Sequence, residues 1–362
     1  VPALRVTGTR IGQAALAVAI GVGAVVLAAE PAGAHGVAGI QPSNFSTRVL
    51  TVTPRVAGLS VRAADLGNKL ELENRTGRDL TVLGYDREPY LRVGPAGVFE
   101  NVRSPAVYLN RTRTGNVPVP RSADPRAAPE WRRIGDGPIV RWHDHRAHWL
   151  GTINPPQVQR DPGSSHLVQR WTVTLVRDGV AITVRGEVVW VPGPAPWAWF
   201  AVAAALAVLL VVLARTRVAR PVLVTALVAM IAGEVAHVLG SYEGTTVAGT
   251  TKLAASAYAL GGIALGALAL TWLVRRGVRA TAPLLLLAGL FLALAGGLAD
   301  VTELYRSQLP TTLPHVFARL EVATVLGLGT GIAVVGALRL RVTPPPARRP
   351  APARQPVEVS AG

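Results

Sequence analysis

Polar and apolar residues alternate along the first half of the chain. Leu50-Thr51-Val52-Thr53, Leu59-Ser60-Val61-Arg62, Leu70-Glu71-Leu72-Glu73 and Leu80-Thr81-Val82-Leu83 each repeat with period two, the signature of half-buried strands. Gln169 to Val176 and Val180 to Val184 do the same on either side of Asp178-Gly179; Asp-Gly accepts the positive backbone angles of a tight hairpin turn. The stretch 84–140 lacks this rhythm and is expected to form long ordered loops. From Trp197 the pattern changes to five apolar runs, at about 197–214, 221–240, 253–274, 281–299 and 316–338. Each has roughly the 18 to 22 residues that cross a hydrocarbon core.

These patterns predict a β plus membrane-α protein: an antiparallel β-sandwich, Ig-like or cupredoxin-like, followed by five transmembrane helices. Residues 1–34 read as a signal peptide, with Arg5 and Arg10 before an apolar run from Ile11 to Ala29 and a small-residue Ala32-Gly33-Ala34 site. The sandwich then occupies 35–196, the helices 197–340, and a Pro- and Arg-rich disordered tail 341–362. Arginines at 215, 217 and 220, at 275, 276 and 279, and at 339, 341, 348 and 349 follow the first, third and fifth runs. By the positive-inside rule those ends are cytoplasmic, so the β domain and the 241–252 and 300–315 loops lie outside the plasma membrane.

Composition narrows the chemistry. Half of the 362 residues are hydrophobic, so the lipid bilayer is the first expected partner. The formal charge of +16 sits largely beside the apolar runs and in the tail, which argues for membrane orientation and against nucleic acid. With no cysteine, disulfides and thiolate metal sites are excluded, leaving histidine, carboxylates and the lone Met230 as ligands.

Three of the seven histidines fall in Arg141-Trp142-His143-Asp144-His145-Arg146-Ala147-His148-Trp149. If this stretch continues a strand, His143 and His145 share a face and Asp144 points away; His148 needs a turn to join them. Cleavage after Ala34 would make His35 the mature N-terminus, whose amine and imidazole chelate one ion together. His35, His143 and His145, with His148 as a further candidate, would offer three or four nitrogens, a set favouring Cu(II), with zinc the alternative. The bland reading is a partly buried polar strand.

A second constellation lies in the apolar runs, where ionisable groups are costly and therefore functional suspects. Glu234 and His237 stand at i, i+3 on one helix face, Asp300 and Glu303 repeat that spacing, and His315 opens the fifth run. These five form a candidate metal or proton site at the helix ends nearest the β domain. The competing reading is a lock in which Arg319 pairs with a carboxylate, Glu321 being the nearest in sequence.

A mature N-terminal His35 with a distant His143-x-His145 in an outward-facing sandwich resembles the copper-binding B subunit of particulate methane monooxygenase. His35-Gly36-Val37 and the Pro54-to-Val82 pattern resemble the small Ig-like copper-resistance proteins, some relatives of which precede a multi-helix copper-resistance membrane domain. Departures are the absence of Met-rich segments, five spans where the monooxygenase subunit differs, and no second sandwich. Glu88-Pro89-Tyr90-Leu91-Arg92 and Trp142-His143-Asp144-His145-Arg146 resemble a family of actinobacterial membrane proteins that implies no activity. The resemblances imply an integral membrane copper-binding protein that captures Cu(II) outside the membrane, for uptake or homeostasis, with a copper donor or acceptor protein as partner. The alternatives are a structural or partner-binding membrane protein and, last, a copper monooxygenase subunit.

Overall fold

The computed structural model describes residues 40–341 apart from Arg113 and Asn116. The expected signal peptide, His35 and residues 342–362 of the expected tail lie outside the described residues. Ten antiparallel strands build the first domain: β1 (Phe45–Thr53), β2 (Leu59–Ala64), β3 (Lys69–Asn74), β4 (Leu80–Leu83), β5 (Pro89–Gly94), β6 (Gly97–Asn101), β7 (Trp131–Gly135), β8 (Ile139–Trp142), β9 (His166–Arg177) and β10 (Val180–Trp190). Seven pair in the order β1-β10-β9-β4-β5-β6-β7, three in the order β2-β3-β8.

Every alternating stretch read from the sequence falls within one of these strands. β10 buries Ile182, Val184, Gly186, Val188 and Trp190 in strict alternation. Asp178 and Gly179 turn the β9–β10 hairpin with φ of 50° and 77°, the positive pair that matches strand twist. Leu70 and Leu72 of β3 and Val140 and Trp142 of β8 share one buried core with Leu80, Val82, Val93, Val173, Leu175 and Val184 of the larger sheet. Each such aliphatic side chain contributes roughly 1.5–3 kcal/mol by leaving water. The stretch 84–140, expected as loops, contributes β5, β6, β7 and the start of β8, with the short helix α1 (Pro105–Leu109).

A second short helix, α2 (Pro156–Arg160), precedes β9. Beyond β10 come α3 (Pro196–Leu213), α4 (Ala219–Glu243), the short α5 (Gly249–Ala255), α6 (Ala257–Phe291), a π-helical continuation over Leu292–Leu298, and α7 (His315–Arg341). Four helical stretches among the described residues are long and apolar enough to cross a membrane: Pro196–Leu213, Ala219–Glu243, Ala257–Leu298 and His315–Leu340. The third has 42 residues, about 63 Å of helix and twice a ~30 Å hydrocarbon core. It is broken at Gly277, whose φ of 76° and ψ of 174° join two helices. A Cβ placed on Gly262 would stand 2.9 Å from Leu292 Cδ2, so the limbs on either side of Gly277 pack against each other.

The β domain is seated on two loops of the helical domain. Ser43 and Gln308 exchange backbone hydrogen bonds of 3.0 and 2.8 Å, and Asn44 Oδ1 accepts from Ser307 N at 2.9 Å. On the other side, Asp65 accepts from Thr246 N at 2.9 Å and from Thr246 Oγ1 at 2.8 Å. The helix ends that carry the second constellation therefore lie under the β domain.

Candidate metal centre

His237 is on α4, two turns before its end; Asp300 and Glu303 are on the turn that follows the π-helical segment. Among the described residues these three bring one ligand atom each to within 4.8 Å of one another. His237 Nε2 faces Asp300 Oδ2 at 3.7 Å, while Nδ1 faces Glu321 Oε2 at 3.5 Å from α7. Glu234, one turn before His237 and only 3% exposed, has Glu321, His237 and Asp300 as its charged neighbours.

The backbone makes this convergence feasible. The π-helical turn is wider than an α-turn and such segments favour functional positions. It ends in Gly296-Gly297, where a Cβ on Gly296 would collide with Glu234 Oε1 and one on Gly297 would stand 2.7 Å from the Leu326 backbone of α7. Two missing side chains thus let the segment approach both α4 and α7 while delivering Asp300 and Glu303.

Four carboxylates, Glu234, Asp300, Glu303 and Glu321, gather around one imidazole. The Arg319 guanidinium gives its hydrogen bonds to backbone oxygens and not to these carboxylates. Arg319 donates through Nε to the Glu303 carbonyl at 3.1 Å and through NH2 to the Arg306 carbonyl at 2.7 Å. No ion pair of Arg319 occurs among the described residues, so the expected Arg319–carboxylate lock is corrected to a clamp on backbone oxygens. Glu303 is 3% exposed and its Oε2 is a buried atom with no hydrogen-bond partner. Burial pushes the Glu303 carboxyl up; His237 and Arg319 pull it down, Asp300 and Glu321 add to the rise, and the balance stands at about 7. Glu234 and Glu303 are thus buried carboxyl groups, and one Glu303 oxygen has no hydrogen-bond partner among the described residues. His315, expected in this constellation, lies outside the group of three.

The β-domain histidines are arranged differently. β8 ends at Trp142, so the expected common face of His143 and His145 does not form. Asp144 instead caps a one-turn 3-10 helix, His145–Ala147, accepting from Arg146 N at 3.1 Å. His143 Nδ1 lies 2.7 Å from the Asn68 carbonyl, and His145 Nε2 lies 3.1 Å from the Thr112 carbonyl. His148 is buried edge-on to His145, ring centres 5.7 Å apart. Asp144, fully buried, takes Trp142 Nε1 at 3.0 Å and both Arg146 Nε and NH2 at 2.8 Å. Burial holds the His143 imidazole below its ordinary pKa, partly offset by the Asn68 carbonyl. The Asp144 carboxylate is thus answered on both oxygens.

The expected set thus divides. His237, Asp300 and Glu303 converge and Glu234 adjoins them; His143, His145 and His148 are woven into the fold. Glu321 was overlooked as a member, although its position one turn and a half into an apolar run was itself a signal. Compared with family models, curated proteins and solved structures, the chain matches none.

Proposed function

We propose that the chain is an integral membrane metal-binding protein. Its helical domain crosses the bilayer five times, the Ala257–Leu298 stretch doubling back at Gly277, and carries a β-sandwich on the extracytoplasmic side. A divalent cation binds beneath the sandwich through His237, Asp300 and Glu303. The observation that carries this reading is the convergence of these three ligand atoms, together with a buried Glu303 oxygen that has no hydrogen-bond partner.

The donor set defines the ion's class. One imidazole nitrogen with carboxylate oxygens suits Zn(II), Mn(II) or Fe(II), whereas an all-nitrogen plane suits Cu(II). Glu321, on the opposite ring nitrogen, would hold the proton on Nδ1 and leave Nε2 free to ligate, the arrangement that commonly orients metal-bound histidine. Cu(II) capture by His35, His143 and His145 draws no support from the geometry: His143 and His145 each face a backbone carbonyl. The position of the site, at helix ends roofed by the β domain, fits metal capture or handling at the membrane surface.

The test is metal titration of the purified full-length protein in detergent micelles with Zn(II), Mn(II) and Cu(II). One ion per chain is expected, its affinity falling by roughly 100-fold or more in His237→Ala and in Glu303→Gln, beyond what loss of an outer partner costs. His143→Ala with His145→Ala should weaken it far less, since neither side chain is among the three converging ligands. Binding lost with His143 and His145 but kept without His237 would restore the copper-capture reading. No binding in any form would leave a membrane-anchored partner-binding protein.

A further inference from the structure

The ligands of the proposed site come from two separate elements, His237 from α4 and Asp300 with Glu303 from the turn after the π-helical segment. Each element runs on into a loop, and the β domain grips both loops. Nine residues beyond His237, Thr246 is held by Asp65 through its amide and its hydroxyl at 2.9 and 2.8 Å. Four residues beyond Glu303, Ser307 N is held by Asn44 Oδ1 at 2.9 Å, next to the Ser43–Gln308 pair. From below, Arg319 holds the carbonyls of Glu303 and Arg306. The second loop also touches α4 directly, Thr312 N donating to the Gly240 carbonyl at 3.1 Å.

The two β-domain groups are built for this contact. Asp65 and Asn44 are 5% and 7% exposed. Asp65 and the following Leu66 have φ of 51° and 57°, a conformation that side-chain-bearing residues adopt at a conformational cost and retain where surroundings enforce it. The Asp65 carboxylate oxygens go to Thr246 of the helical domain and, at 3.0 Å, to Lys69 Nζ at the start of β3. Desolvation opposes ionisation of Asp65, but the Thr246 and Lys69 contacts outweigh it and hold the carboxyl below its ordinary range. Asn44 likewise anchors itself, its carbonyl accepting from Val191 N at 2.8 Å.

We infer that Asp65 and Asn44 are positioning residues of the metal centre: the β domain spans the site and sets the separation between His237 and the Asp300–Glu303 turn. The inference rests on the metal reading above. A span across two ligand-bearing loops couples its docking to ion binding, and the coupling is reciprocal. Docking tightens the ion's site, and the ion tightens docking. The β domain is then a roof whose seating reports the ion and through which a partner on the outside could alter its retention.

The experiment uses full-length protein in detergent with Zn(II) as the probe. Asp65→Ala combined with Asn44→Ala should weaken Zn(II) binding by about tenfold, the lower range for loss of outer-shell partners. Asp65→Asn with Asn44→Asp should restore most of it, since both replacements accept the same amide hydrogens and asparagine tolerates the left-handed conformation. A purely structural role would lower the melting temperature and leave the affinity of the folded protein unchanged. In the wild type, Zn(II) should slow hydrogen exchange at the Thr246 and Ser307 amides, with the Ala147 amide, bonded to the Asp144 carbonyl inside the β domain, as the unaffected control. Equal Zn(II) affinity in the folded double variant overturns the inference alone. If that variant does not fold, unchanged exchange at Thr246 and Ser307 overturns it. A wild type that takes up no Zn(II) overturns the metal reading and this inference with it.

Discussion

Two regions of this molecule concentrate histidine and carboxylate, and they differ in whether their charges are answered. In the β domain, Asp144 receives three side-chain hydrogen bonds, and His143 and His145 each meet a carbonyl. At the helix ends, four carboxylates share one imidazole while Arg319 is spent on backbone oxygens. The first region is denser in histidine; the second is short of positive charge. Density of ligand-type residues marks a place to look, and charge balance decides whether an ion is wanted there. The same residue types close on one another in one place and leave a carboxylate oxygen without a hydrogen-bond partner in the other.

The largest test of that contrast removes a carboxylate from each region. Asp144→Ala strands the Arg146 guanidinium, 23% exposed, and the Trp142 indole N–H in the core. Loss of one partner from a buried pair costs about 3–5 kcal/mol. Thermal unfolding followed by tryptophan fluorescence should show the β domain melting roughly 10 °C lower. Glu303→Gln, measured without added metal, should do the opposite: it relieves like-charge repulsion and raises stability by about 0.5–1 kcal/mol, within the range of favourable charge changes. If both substitutions destabilise by similar amounts, the distinction between a satisfied knot and an incomplete site is wrong.

The parts of this contrast that could be read from the sequence follow from how local their causes are. Alternation at Leu70 to Glu73 and Leu80 to Leu83 needs only the strand period, and it marked strands correctly. β5, β6 and β7 escaped because arginine or glycine stands at positions that alternation would make apolar. Arg92 is kept there by stacking between Phe99 and Trp131, at 4.6 and 4.8 Å from the ring centres, a tertiary arrangement with no local pattern. The apolar runs were legible, with Arg275 to Arg279 read as the break between the third and fourth; that the break falls at Gly277 was not. His237, Asp300 and Glu303 stood out as ionisable groups in apolar surroundings. Glu321 was mispaired with Arg319 against helix geometry: residues at i and i+2 point to nearly opposite faces, so Arg319 reaches the 303–306 backbone while Glu321 reaches His237. His143 and His145 looked like a chelating pair because the strand was extrapolated past Trp142, where the Asp144 cap ends it.

The two regions also separate by the sign of their response to pH. Burial holds the His143 imidazole below its ordinary value near 6.5. A histidine depressed in the folded state contributes stability above 6.5 that is lost as pH falls through its folded pKa. Glu303 is raised to about 7, so its contribution is complete below the ordinary carboxylate value near 4.5 and is lost as pH rises through about 7. Between pH 5 and pH 7.5 the two regions should therefore slope in opposite directions. Hydrogen exchange resolves them in one protein: amides of the β core, such as those of β9 and β10, should be better protected at pH 7.5, and those of the 299–305 turn at pH 5. His143→Gln should flatten only the first slope and Glu303→Gln only the second. Metal sharpens the difference, because an ion on the ionised Glu303 reverses the slope of the turn and leaves that of the β core untouched. Parallel slopes in both regions, or a β-core slope that changes with Zn(II), would show that the two clusters act as one titrating unit and that their separation into fold and site does not hold.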